Sequence, residues 1–139
     1  MQSYYTLLDH TADLRIRVSG TEPADLFRNA GLALFDLIAK PDRLERREVV
    51  EMAVTGDDPA DLMVNYLREL LYLWTGSEKL VKMIDILQIS ETSVSARVSA
   101  DHYQPHRHTI LHEIKAVTYH QIEVSRMANG WQAMVVFDI

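Results

Sequence analysis

Met127-Ala128-Asn129-Gly130-Trp131-Gln132-Ala133-Met134-Val135-Val136-Phe137-Asp138-Ile139 decides the fold class. Asn-Gly supplies the positive backbone angles that a tight hairpin turn demands, so the chain reverses at Asn129-Gly130 between two strands. Those strands are predicted at about 114–124 and 131–139. The second ends the sequence, which makes the last residues part of a sheet and not a tail. A strand holds its terminal groups in place, whereas a frayed tail loses entropy each time it binds something.

Working outward, the polar stretch 101–113 carries Pro105 and four histidines and reads as a long loop. Before it, strands at about 82–89 and 93–100 flank a small turn at Glu91-Thr92 and pair as a second hairpin. A helix precedes them. Asp58 is its N-cap, Pro59 its first residue, Asp61 a dipole-favoured carboxylate and Gly76 its stop, with Leu62, Tyr66, Leu70, Leu73 and Trp74 on one face. A strand at 49–54 leads into it. An earlier helix opens at Pro23, buries Leu26, Phe27, Ala30, Leu34, Phe35 and Ile38, and ends at Lys40-Pro41. The first clear strand spans 13–18, where Leu14, Ile16 and Val18 alternate with Asp13, Arg15 and Arg17. No internal repeat or flexible linker is evident. At 139 residues the chain 1–139 reads as a single α+β domain. Its two helices pack on a mainly antiparallel or mixed β-sheet.

Composition narrows function. The absence of cysteine excludes disulfides, thiolate zinc sites and cysteine nucleophiles. A formal net charge of -6 opposes a strong grip on nucleic-acid phosphates. The basic cluster Lys40, Arg43, Arg46 and Arg47 is interrupted by Glu45 and followed by Glu48, and reads as a solvated loop and strand start. With no leader-like N-terminus and no bilayer-length apolar run, a cytoplasmic protein without membrane contact is expected. There is no nucleophile elbow, P-loop or dinucleotide fingerprint.

Two features carry chemistry. If the first and last strands lie side by side, Asp13, Asp138 and the terminal carboxylate of Ile139 place three anionic oxygens around one cation. Ca²⁺ and Mg²⁺ take such ligands. Asp is also common at strand ends, so both readings stay open. Lys115, amid apolar strand residues, sits either at the sheet rim with its ammonium in water or where it is used. His102, His106, His108, His112 and His120 raise a zinc site, against a polar, partly exposed loop; spacing alone does not select tetrahedral geometry.

Asp9-His10-Thr11-Ala12-Asp13, Ile114-Lys115-Ala116-Val117-Thr118-Tyr119-His120 and terminal Asp138-Ile139 together resemble the archease family, in an order of elements that fits end to end. The departures are Leu14, where isoleucine or valine is frequent, and the histidine-dense loop. The resemblance implies an archease-like fold and a non-enzymatic accessory protein. Such a protein activates the RNA ligase of tRNA splicing and RNA repair, which joins 3′-phosphate or 2′,3′-cyclic phosphate ends to 5′-hydroxyl ends. It does so by promoting guanylylation of the ligase and multiple turnover. The resemblance also implies a divalent cation, Ca²⁺ or Mg²⁺/Mn²⁺, on Asp13, Asp138 and Ile139, and places the activating lysine at Lys115. Two other functions compete. One is a chaperone-like modulator of a tRNA modification enzyme such as a cytosine methyltransferase. The other is a metal-dependent phosphoesterase, with Lys115 or a loop histidine stabilising charge.

Overall fold

Leu14, Ile16 and Val18 are fully buried, while Asp13, Arg15 and Arg17 on the alternate face reach solvent to varying degrees. That alternation places strand β2 (Asp13–Gly20) on the core with one face wet. The computed structural model describes residues 4–9 and 12–139. In chain order the other elements are β1 (Tyr5–Asp9), α1 (Pro23–Ile38), a 3₁₀ turn (Pro41–Arg43), β3 (Glu48–Thr55) and α2 (Pro59–Ser77), followed by β4 (Lys79–Ile89), β5 (Ser93–His102), β6 (Ala116–Met127) and β7 (Gly130–Asp138).

The α+β class is as expected, but the strands form two sheets. One has the order β1-β2-β7-β6 and the other β3-β5-β4, and every pairing is antiparallel. Each helix packs against both sheets: α1 lies on β2 and β4, α2 on β6 and β3. The core is therefore the space between the sheets, filled by the helices and by the inward residues of β2, β5 and β7. Ala133, Val135 and Phe137 of β7 are fully buried, as are Val98 and Ala100 of β5. Sealing off a side chain the size of Phe137 stabilises by about 1.5–3 kcal/mol. Phe27 and Tyr66 meet edge to face at 5.3 Å where the helices approach each other. Among the described residues no helix is long and apolar enough to cross a membrane.

Three details depart from expectation. Strand β1 was not anticipated. Helix α2 continues past Gly76 to Ser77 and stops where Glu78 adopts a left-handed φ of 55°, its N–H returning to the Leu73 and Trp74 carbonyls. The third departure is an internal repeat: Gly20-Thr21-Glu22-Pro23-Ala24-Asp25-Leu26 and Gly56-Asp57-Asp58-Pro59-Ala60-Asp61-Leu62 lead into α1 and α2 in the same way. In each, an asparagine at the same offset ties the helix back to the preceding strand. Asn29 Nδ2 donates to the Ser19 carbonyl at 2.8 Å, and Asn65 Nδ2 donates to the Thr55 carbonyl at 3.0 Å. The caps differ in chemistry: Asp58 accepts the Asp61 N–H at 2.8 Å, whereas the longer Glu22 makes no such bond.

Each of these helix starts requires a glycine for space. A methyl group added at Gly20 would fall 2.5 Å from the Leu26 backbone nitrogen, and one at Gly56 would fall 2.5 Å from that of Leu62. Backbone cannot move aside as a side-chain end can. Gly20→Ala and Gly56→Ala should each cost about 1–3 kcal/mol in urea unfolding. Gly76→Ala, whose methyl would first meet the movable end of the exposed Tyr72 ring, should cost far less. Equal losses at all three would contradict this account of the helix starts.

Candidate functional site

The pairing of β2 with β7 sets Asp13 directly opposite Asp138, next to the buried pair Leu14 and Phe137. Because Leu14 and Phe137 face the core, the two aspartates project together from the outer face. On the other side of β7, Ala116 pairs with Asp138, and the Lys115 N–H donates to the Asp138 carbonyl at 2.8 Å. Three adjacent strands thus bring Asp13, Asp138 and Lys115 to one end of the sheet, with Ile139 immediately beyond. Asp138, Ile139 and Lys115 are exposed and Asp13 is half-buried. The His10-Thr11 part of the first motif lies outside the described residues.

Like charges directly opposite one another across two strands destabilise the pairing. The Asp13–Asp138 register is therefore costly unless something positive sits between the carboxylates. Among the described residues, no third carboxylate or imidazole joins them in a metal-holding group. Among the described residues, the side-chain carboxylates at this end are thus Asp13 and Asp138 alone. An oxygen-only set of this kind suits a hard divalent cation.

The loop histidines do not converge. His102 and His106 are exposed, and the His112 Nδ1 donates to the Leu37 carbonyl at 2.9 Å. His108 is buried in a latch: its Nδ1 accepts the Gln104 N–H at 2.9 Å, which leaves the proton on Nε2, 3.1 Å from Asp101 Oδ2. The Asp101 carboxylate also takes Arg107 Nη2 at 2.7 Å and the Glu45 N–H at 3.0 Å. Glu45 in turn pairs with Arg47 and Arg107. The basic cluster is thus exposed, as its sequence implied, but Arg47 also helps to pin the loop. His108 and His112 thus tether the loop, and no group of histidines converges on a metal position among the described residues.

Sequence reasoning overlooked a groove beside Lys115. An open space of about 380 Å³ is lined by Arg68, Leu71, Tyr72, Thr75, Lys115, Ala116 and Val117. The Arg68 Nε donates to the Val117 carbonyl at 3.1 Å, and its guanidinium carbon lies 4.7 Å from the Tyr119 ring centre. Tyr119 donates to Asp61 at 2.6 Å, which together with the Asp57 N–H holds the Asp61 carboxyl below the usual carboxylate range. Arg68 and Tyr72 stand one helical turn apart on the polar side of α2, and that spacing was the signal available.

Comparison with known proteins settles the family. The archease protein family matches residues 5–139. The chain belongs to the archease family. Protein archease of Methanosarcina mazei is 37% identical over 139 residues, covering 97% of this chain and 95% of the relative. Protein archease of Pyrococcus abyssi is 35% identical over 136 residues, covering 94% and 95%. The solution structure of Methanobacterium thermoautotrophicum protein 1598 superposes with a TM-score of 0.84 at 24% identity, covering 99% of this chain and 100% of that one. A Thermotoga maritima crystal structure described as an archease and possible chaperone gives a TM-score of 0.62 at 20% identity, covering 96% of each chain. These two likenesses bear on the archease fold alone.

Two outcomes follow for this archease. Burial alone would raise the Asp101 carboxyl, but the Glu45 N–H, His108 and Arg107 outweigh it and hold the group below its ordinary value. Stability from this latch is present above the unfolded carboxylate value of about 4 and is lost as pH falls through the lower folded value. Asp101→Asn should cost about 3–5 kcal/mol at neutral pH, a penalty that shrinks in unfolding series taken below about pH 4. At the sheet end, Asp138→Asn should melt no lower than the parent in chelator, because it removes a like-charge pair. Any rise in Tm that added Ca²⁺ or Mn²⁺ produces in the parent should be lost with the carboxylate.

Proposed function

We propose that this archease is a non-enzymatic, cytoplasmic accessory protein. It activates the 3′-phosphate/5′-hydroxyl RNA ligase of tRNA splicing and RNA repair by promoting ligase guanylylation and multiple turnover. One observation carries the reading: Asp13 and Asp138 stand opposite each other, with Lys115 hydrogen-bonded through its backbone to Asp138, all at one exposed end of a sheet. Family membership supports the partner.

In this reading Asp13, Asp138 and the Ile139 carboxylate hold a divalent cation, Ca²⁺ or Mg²⁺/Mn²⁺. When bound, the cation neutralises the carboxylates and offers coordination positions to an oxygen of the partner. The strands do the rest. They fix the two carboxylates without the entropy loss of ordering a loop. The Lys115 ammonium, which lines the groove against α2 while its backbone bonds Asp138, is set for a charge-assisted hydrogen bond to the ligase or to its nucleotide. Acting through protein contact, such an activator needs no extended RNA-binding surface, in keeping with the net charge of -6.

The decisive experiment is multiple-turnover ligation of a 3′-phosphate end to a 5′-hydroxyl end under GTP and Mn²⁺, with and without this protein. Turnover should rise with the parent, and Asp13→Ala, Asp138→Ala and Lys115→Ala should each lower the gain at least tenfold while the ligase's first turnover persists. Unchanged turnover with the parent protein would remove the proposal. By calorimetry, residues added after Ile139 should weaken cation binding more than an N-terminal extension does, since an amide carbonyl then replaces a carboxylate.

The description of the Thermotoga maritima relative as a possible chaperone favours a second reading. This is a chaperone-like modulator of a tRNA modification enzyme such as a cytosine methyltransferase. It predicts protection of that enzyme from aggregation that survives Lys115→Ala, with no effect on ligation.

A further inference from the structure

Among the described residues, neither Arg68 nor Lys115 has a carboxylate within ion-pair distance, although the protein carries a net charge of -6. Both line the same groove between α2 and the start of β6. Arg68 is not a loose surface cation. Its Nε–H is committed to the Val117 carbonyl and its plane rests near Tyr119, so the guanidinium is held in one orientation with its terminal N–H groups to spare. A fixed guanidinium fork matches the geometry of a phosphate, and an ammonium adds a point charge beside it. Asp61 feels the Arg68 charge but makes no ion pair with it, its oxygens being taken by the Tyr119 hydroxyl, the Asp57 N–H and Asn65 Nδ2. Tyr72, 65% exposed, forms another wall, and Thr75 adds a hydroxyl.

We propose that the Arg68–Lys115 groove is a subsite for the phosphate of a nucleotide-like phosphate ester, with the Tyr72 ring as the surface on which the base rests. The open volume of about 380 Å³ is enough for one such group, and binding of that group alone is proposed. Aromatic faces stack bases of any identity, so the site is selective for phosphate and tolerant of base. This goes beyond ligase activation, though it rests on that reading in one respect: Lys115 joins the groove to the Asp13–Asp138 end. A cation held there would offset the nearby carboxylates and strengthen anion binding.

The test needs only the isolated protein. Its amide, Arg68 Nε–H and Tyr ring resonances are followed by NMR at constant ionic strength. Inorganic phosphate, adenosine 5′-monophosphate, a short RNA ending in a 3′-phosphate and an acidic peptide are titrated separately, each with and without Ca²⁺. Expected are saturable shifts confined to Arg68, Tyr72, Lys115 and their neighbours, with the mononucleotide binding at least fivefold more tightly than inorganic phosphate. Arg68→Gln should weaken nucleotide binding at least tenfold while leaving the remaining spectrum in place. No saturable shift beyond a chloride control, undiminished binding in Arg68→Gln, or tighter binding of the acidic peptide would overturn the proposal. Inorganic phosphate binding as tightly as the nucleotide would overturn the role given to Tyr72. An RNA end binding at least tenfold more tightly than the mononucleotide would overturn the single-group limit. Nucleotide binding that ignores Ca²⁺ would count against the cation site and leave the groove standing. Ca²⁺ binding without nucleotide binding would do the reverse.

Discussion

The antiparallel pairing of β7 with β2 on one side and β6 on the other constrains the rest of the molecule. Its inward residues Ala133, Val135 and Phe137 are fully buried, and its last residue, Asp138, is exposed beside Asp13 and Lys115. Because side chains alternate along a strand, a slip of one residue would turn Phe137 to solvent and Asp138 toward the core. Core packing therefore enforces the register that brings the two carboxylates together. The cost of placing like charges opposite each other is borne by the apolar pairs behind them.

The repeated helix starts provide the second constraint. Each of Gly20 and Gly56 lets a strand end close on the helix that follows, and each of Asn29 and Asn65 ties that helix to the strand end. The same device used twice orients α1 and α2 between the sheets. The position of α2 then sets that of Arg68, whose bond to the Val117 carbonyl joins the helix to the strand bearing the Lys115 end of the site. Placement of the candidate groove thus depends on packing at the start of α2, away from the groove itself.

Elements with strong local signals were legible in the sequence. The alternation in β2 and the Pro-initiated helices lie where their patterns put them, while the last hairpin turns one residue earlier than expected, at Ala128-Asn129, with Gly130 at φ 144° already paired to Met127 as the first residue of β7. The contact of β2 with β7 was conditional at that level, since no local rule relates residue 13 to residue 138; only the shared core selects that pairing. Division into two sheets is likewise a long-range outcome. β1 is short and at an edge, without the run of alternation that marked β2. Gly76 was an apt stop signal, yet α2 runs on until Glu78 takes the left-handed conformation. The repeat was hidden because the glycine, the Pro-Ala-Asp-Leu core, the asparagine and a few apolar positions recur among neighbours that differ. The histidine stretch is the polar, partly exposed loop that was set against a zinc site, but spacing showed only density, and burial of Asp101 decided what His108 was for.

The central claim is that strand register makes Asp13, Asp138 and the adjacent end of β6 into a cation site. It is tested most directly by paramagnetic broadening of the backbone amide spectrum with substoichiometric Mn²⁺. The account predicts that broadening centres on Asp13, Asp138, Ile139 and the Lys115–Ala116 amides, and that excess Ca²⁺ reverses it. Broadening centred instead on the His102 to His112 loop, or spread over the acidic surface without a focus, would contradict it.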